Sequence, residues 1–141
     1  GNGVAPKGGA VLAGLQDVPQ PFADQAGAHG KAPGNALGAY LNGAEITVNG
    51  NAQDAVGDTM SAGRIVIHGS AGDAAGYAMR GGEIYIEGNA GYRAGIHMKA
   101  YQEHKPVLVI GGRAGSFLGE YQAGGLIVVL SLHTDGRPVV G

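Results

Sequence analysis

The sequence predicts an all-β fold, a right-handed parallel β-helix (solenoid) of about five to six turns. Three observations carry this. Between Lys31 and Gly125 the chain repeats every 19 residues, most visibly in Gly50-Asn51-Ala52, Gly69-Ser70-Ala71 and Gly88-Asn89-Ala90. Each repeat contains a short run in which aliphatic residues alternate with polar or variable ones, the period of a half-buried strand. Glycine, at 29 of 141 residues, is far above ordinary usage and lies between the apolar runs, where tight turns would need it.

Residues 1–30 do not join the repeat and are rich in Gly, Ala and Pro. Pro19 and Pro21 oppose a continuous helix there. The segment is read as a lead-in that caps the first turn, because a solenoid must cover its open end. The β-helix domain follows over residues 31–130, in laps of 31–49, 50–68, 69–87, 88–111 and 112–130, and a C-terminal tail occupies 131–141.

Each lap is expected to hold one strand near its end: Glu45–Val48, Arg64–Ile67, Glu83–Ile86, Val107–Ile110 and Leu126–Val129. A second short extended piece is expected at the Gly-Asn-Ala start. Nineteen residues are too few for a strand, a crossover helix and a return, but they suit one lap of a β-helix. Matching residues would then stack at the spacing of adjacent strands, about 4.8 Å. The inward columns are Ile46, Ile65, Ile84, Leu108 and Ile127, and Val48, Ile67, Ile86, Ile110 and Val129. Leu41, Met60, Met79 and Met98 form a third, with methionine filling gaps. Gly38, Gly57, Gly76, Gly95 and Gly119 recur as structural glycines at one bend. Parallel crossovers are almost always right-handed, which sets the hand. A left-handed β-helix would need a six-residue period, and 19 is not a multiple of six.

Composition removes several classes of function. The chain has no cysteine, so it offers no disulfide, thiolate zinc site, iron–sulfur ligation or cysteine nucleophile. A formal net charge of −2 gives no electrostatic reason to expect nucleic acid. No apolar stretch is long enough to span a membrane, and the opening residues have no signal-peptide pattern, so a cytoplasmic location is expected.

The outward columns are where chemistry would sit. Glu45, Arg64 and Glu83 form a surface ion ladder. Asn49, His68 and Glu87 place a histidine beside a carboxylate, without a nucleophile in the column. Asp54 and Asp73 align one lap apart and could suit a glycosidase, although Asp at a turn more commonly caps backbone. The run Val107–Gly115 resembles half of a dinucleotide fingerprint but lacks Gly-x-Gly-x-x-Gly. The histidines have no metal-ligand spacing. No catalytic, cofactor-binding or metal-binding residue is assigned.

The informative departure is a five-residue insertion in the fourth lap, within Lys99–Lys105. Insertions in solenoids map to loops, often on a binding face. Tyr92, Arg93, His97, Lys99, Tyr101 and His104 are the candidate partner-interface residues, by position and residue type. Outward positions also become apolar toward the C-terminus, from Glu45 to Val107 and Leu126, and from Asn49 to Leu130. Such a face calls for a cover from the N-terminal segment, the tail or another chain, a homo-oligomer included.

The motifs Gly-Asn-Ala-Gly (88–91), Met-Arg-Gly-Gly-Glu-Ile-Tyr-Ile-Glu-Gly (79–88) and Gly-Ile-His-Met-Lys (95–99) resemble the glycine-repeat β-helix domain of glutamate synthase large subunits. The stretch from Lys105 to Val129, with Pro106, Gly119-Glu120-Tyr121 and Ala123-Gly124-Gly125, is most similar to stand-alone forms of that domain. The repeat is also similar to the structural, glycine-repeat subunit of formylmethanofuran dehydrogenase. The likeness covers roughly residues 34–132. It implies a non-catalytic scaffold that docks and aligns a glutamine amidotransferase and a flavin-dependent oxidoreductase, with FMN and an iron–sulfur cluster in partner domains and no cofactor on this chain. The alternatives are the equivalent scaffold in a formylmethanofuran dehydrogenase and a freestanding carbohydrate-active β-helix.

Overall fold

A computed structural model describes residues 34–132, so the lead-in 1–30 and nearly all of the tail 131–141 lie outside the described residues. The described chain is a parallel β-solenoid of five laps and contains no helix. Its strands are β1 (Asn42–Val48), β2 (Ala62–Ile67), β3 (Glu83–Ile86), β4 (Val107–Ile110) and β5 (Leu126–Val129). They form one sheet in chain order, each parallel to the next.

The register follows the repeat. Ile46 pairs with Ile65, Ile65 with Ile84, Ile84 with Leu108 and Leu108 with Ile127. The insertion lengthens one step to 24 residues without disturbing this alignment. Inward columns are sealed, with Ile46, Ile65, Ile84 and Leu108 fully buried and Met60, Met79 and Met98 beside them. Ala52, Ala71, Ala90 and Ala114 fill the narrow corner.

The bend opposite the sheet is built from alternating left-handed residues. In the first lap Ala36, Gly38 and Tyr40 have φ of 61°, 73° and 59°. The same triple recurs at Ala55, Gly57 and Thr59, at Ala74, Gly76 and Ala78, at Arg93, Gly95 and His97, and at Phe117, Gly119 and Tyr121. This alternation turns Leu37 and Leu41 inward while leaving Tyr40 outside. The middle member is crowded in several laps, so that a side chain there would displace a neighbour: a Cβ at Gly57 would lie 2.5 Å from Ile84 Cδ1, and one at Gly95 2.6 Å from Ile127 Cδ1. Backbone bonds then run both ways between laps, as in Ala55 N–H to Asp73 C=O and Gly57 N–H to Leu37 C=O, both 2.8 Å.

The Gly-Asn-Ala segments, where a short extended piece is expected, lie outside the strands. Side chains replace part of the backbone ladder there. Asn51 Oδ1 accepts from Ser70 N–H at 2.8 Å, Ser70 Oγ from Asn89 N–H at 2.9 Å, and Asn89 Oδ1 from Arg113 N–H at 2.8 Å. Such short polar side chains compete with a sheet ladder for backbone donors.

Candidate interface on the glycine bends

The left-handed bends carry the outward aromatic residues. Arg93 and Phe117 occupy one column, and His97 and Tyr121 another, at the far side of the bend glycine. Left-handed backbone at non-glycine residues is uncommon and costs roughly 1–2 kcal/mol each. These positions therefore hold bulky side chains against a local preference for glycine.

The side chains meet. His97 stacks on Tyr121 with ring centroids 5.0 Å apart and planes 14° apart. Tyr77 meets His97 edge-on at 5.7 Å. The Arg93 guanidinium lies 5.1 Å from the Phe117 ring centre. Tyr121, Tyr92 and Phe117 remain 68, 53 and 52 % exposed. Arg80 Nη1 donates to the carbonyls of Ala78 at 2.9 Å and His97 at 2.6 Å, which ties the third bend to the fourth. The result is a surface of exposed rings and guanidinium groups on a braced backbone, the chemistry typical of protein–protein hot spots.

The six expected interface residues divide into two groups. Tyr92, Arg93 and His97 lie on this bend surface. Lys99 leaves it, bridging to Ala123 and donating its N–H to the Met79 carbonyl at 3.0 Å. Tyr101 and His104 close the insertion as a tight turn by exchanging two backbone hydrogen bonds of 2.9 Å. That turn lies near the N-terminal ends of β2 and β3, where Glu103, His104 and Lys105 line a depression with Ser61, Gly63 and Gly82. Tyr77, Phe117 and Tyr121 are not among the residues expected from sequence. The signal is nonetheless present: adding 24 residues across the insertion maps Arg93 onto Phe117 and His97 onto Tyr121.

The other columns resolve into structural roles. Asp54 Oδ1 accepts from Asp73 N–H at 2.7 Å, and Asp73 Oδ1 from Tyr92 N–H at 2.8 Å. Glycines at 72 and 91 make this possible, since a Cβ at either would overlap the carboxylate oxygen. Arg64 Nε donates to Glu83 Oε1 at 3.1 Å, and Tyr85 Oη donates to the same oxygen at 2.9 Å. Burial first, then the hydrogen bond to Glu83, raises the Tyr85 phenol above its ordinary pKa. His68 Nδ1 lies 3.1 Å from Glu87 Oε1 at the rim of an apolar groove formed by Val66, Tyr85, Val109, Leu130 and Leu132. On the outer side, Thr47 and Val66 on the first two strands are each 2 % exposed, whereas Leu126, Leu130 and Leu132 in the last lap are 54, 49 and 62 % exposed. Among the described residues no group of three side chains could hold a metal ion, and no helix is long and apolar enough to cross a membrane.

The sequence matches the GXGXG motif family over residues 26–139, most of the chain. This protein is a member of the GXGXG family. The same motif occurs in the C-terminal domain of glutamate synthase, so this GXGXG chain is related to that domain. It is 62 % identical over 105 residues to an uncharacterized protein of Methanocaldococcus jannaschii. The alignment covers 74 % of the GXGXG chain and 40 % of that relative, so the chain spans about two fifths of the relative's length. No solved structure gives a significant match.

Proposed function

We propose that this GXGXG protein is a non-catalytic scaffold of a glutamate-synthase-related assembly in the cytoplasm. It docks a glutamine amidotransferase component and an oxidoreductase component that carries FMN and an iron–sulfur cluster. Family membership supports the context. The observation that carries the docking role is the bend surface, where Tyr77 meets His97 edge-on, His97 stacks on Tyr121 and Arg93 lies over Phe117. Aromatic and arginine side chains of this kind supply most of the energy of protein interfaces. The alignment of Asp54 with Asp73 has a sufficient explanation in backbone capping, so the glycosidase alternative gains nothing from it.

The test is co-expression with the amidotransferase and flavoprotein components from the same genome, followed by size-exclusion chromatography. Wild type should co-elute with at least one of them. Arg93→Ala with Tyr121→Ala should abolish co-elution and leave the melting temperature within a few degrees of wild type. Failure of the wild-type chain to associate with either component, or substrate turnover by the purified chain alone, would refute the reading.

A further inference from the structure

The asparagines of the described residues fall into two groups. Asn35, Asn51 and Asn89 each precede an alanine, and each side-chain oxygen accepts a backbone N–H of the next lap, at 3.1, 2.8 and 2.8 Å. Asn42 and Asn49 each precede a glycine, and among the described residues neither side chain has a hydrogen-bond partner. They stand at the two ends of β1, Asn42 as its first residue and Asn49 just beyond its last, and both are exposed. An Asn-Gly pair closes on itself more readily than other asparagine dipeptides. Glycine has no side chain to hinder the approach of its nitrogen to the preceding amide carbon, and its backbone bends freely.

The two pairs are held differently. The register of β1 on β2 shifts between Asn42 and Glu45, so Gly43 lies in a bulge and has no partner in that register. Its φ is 117°, and it is exposed together with Asn42. Where β2 packs on the bulge, it does so mainly at Ala44: a Cβ at Gly63 would overlap the Ala44 oxygen, yet lie 3.2 Å from the Gly43 carbon. Asn49 and Gly50 are more confined. Val48 before them pairs with Ile67 and accepts the His68 N–H at 2.9 Å. Gly50 is half-buried, and Gly69 of the next lap is so close that a Cβ there would lie 2.7 Å from the Gly50 carbonyl carbon and oxygen. Cyclisation turns the peptide plane between asparagine and glycine. The bulge permits that rotation and the packed corner resists it.

We infer that Asn42 is a site of spontaneous modification, where the amide is lost as ammonia and aspartate and isoaspartate are formed. Hydroxide or a buffer base removes the Gly43 amide proton, and the nitrogen attacks Asn42 Cγ. The N–Cγ bond forms, the Cγ–Nδ2 bond breaks, and ammonia leaves a cyclic imide. Water then opens the imide. Attack at Cγ gives aspartate, and attack at the main-chain carbonyl gives isoaspartate, in which the chain runs through Cβ and Cγ. Either product adds a negative charge, and isoaspartate also lengthens the main chain by one carbon. A bulge already accommodates surplus backbone, so the laps above keep their register.

The test follows the full chain in warm, mildly alkaline buffer made with heavy-oxygen water. Samples are peptide-mapped by mass spectrometry with fragmentation that separates isoaspartate from aspartate. Position 42 should lose its amide first and gain a heavy oxygen, with isoaspartate the larger product. Asn49 should lag behind it, and Asn35, Asn51 and Asn89 should remain amides. In strong denaturant Asn42 and Asn49 should convert at similar rates, because the packed corner is gone. Asn42→Ser, which copies Ser61 at the matching place of the next lap, should abolish the early conversion and leave circular dichroism unchanged. Conversion of Asn49 as fast as Asn42 in the folded chain would overturn the inference. So would an amide at position 42 that survives while the denatured chain loses it, or acid formed there without isoaspartate.

Discussion

Asp54 Oδ1 accepts the backbone N–H of Asp73, one lap above, at 2.7 Å. Two aspartates in line on a β-helix look like paired acids, but this geometry makes them successive rungs of a capping ladder that starts with Asn35 Oδ1 on Asp54 N–H at 3.1 Å. What this geometry uses is the oxygen as an acceptor. Asp54→Ala should lower stability by about 1 kcal/mol, the usual worth of one such bond. Asp54→Asn keeps an acceptor in place and should leave the urea midpoint nearly unchanged. A larger loss for the Asn variant than for the Ala variant would contradict this assignment.

The structural glycines are not equivalent. At Gly57 a new methyl group meets Ile84 Cδ1 at 2.5 Å, whereas at Gly76 the nearest atom is the flexible Met79 Sδ at 3.1 Å. Gly57 has φ of 69° and Gly76 of 71°. Gly57→Ala should therefore cost the left-handed penalty plus overpacking, about 3 kcal/mol in all. Gly76→Ala should cost little beyond the backbone penalty, about 1–2 kcal/mol. Denaturant titration of the two variants side by side checks the order.

Among the described residues Thr47 Oγ1 is buried without a hydrogen-bond partner. An unpaired buried hydroxyl is destabilising, and valine has the same shape without the polar atom. Thr47→Val should raise stability by about 1 kcal/mol. No gain in the thermal midpoint would mean that the hydroxyl finds a partner in solution.

Tyr85 gives a signature at high pH. Its folded pKa is raised above the ordinary value of 10.0. Around and above that pH the unfolded chain releases this proton while the folded chain still holds it, so the contribution is complete below the unfolded pKa and is lost as pH rises toward the folded one. Tyr85→Phe should show a shallower fall of stability above pH 10.0 than wild type does, read from urea midpoints at stepped pH.

The stack is legible in the sequence because its laws are periodic. The aliphatic columns, the glycine column and the strand register all follow from one spacing and from period-two alternation. Most left-handed partners of those glycines are not legible, because Ala, Tyr, Thr, Arg and Phe carry no residue-level signal for positive φ. The Asn and Asp ladders are hidden for a related reason: an extended strand and a side-chain-capped coil both repeat at the same interval. Half of the bend surface is visible as Tyr92, Arg93 and His97. The rest requires counting across the insertion before Phe117 and Tyr121 fall into place.

That insertion has one further consequence. Asn89 reaches Arg113 across 24 residues with the same 2.8 Å bond that Asn51 makes to Ser70 across 19. The stack measures height in storeys and is indifferent to the length of the staircase between two of them. The tip at Gln102 and Glu103 is thus a place where peptide can be spliced in, an epitope or a fluorophore tag for instance, while the floors above and below keep their alignment.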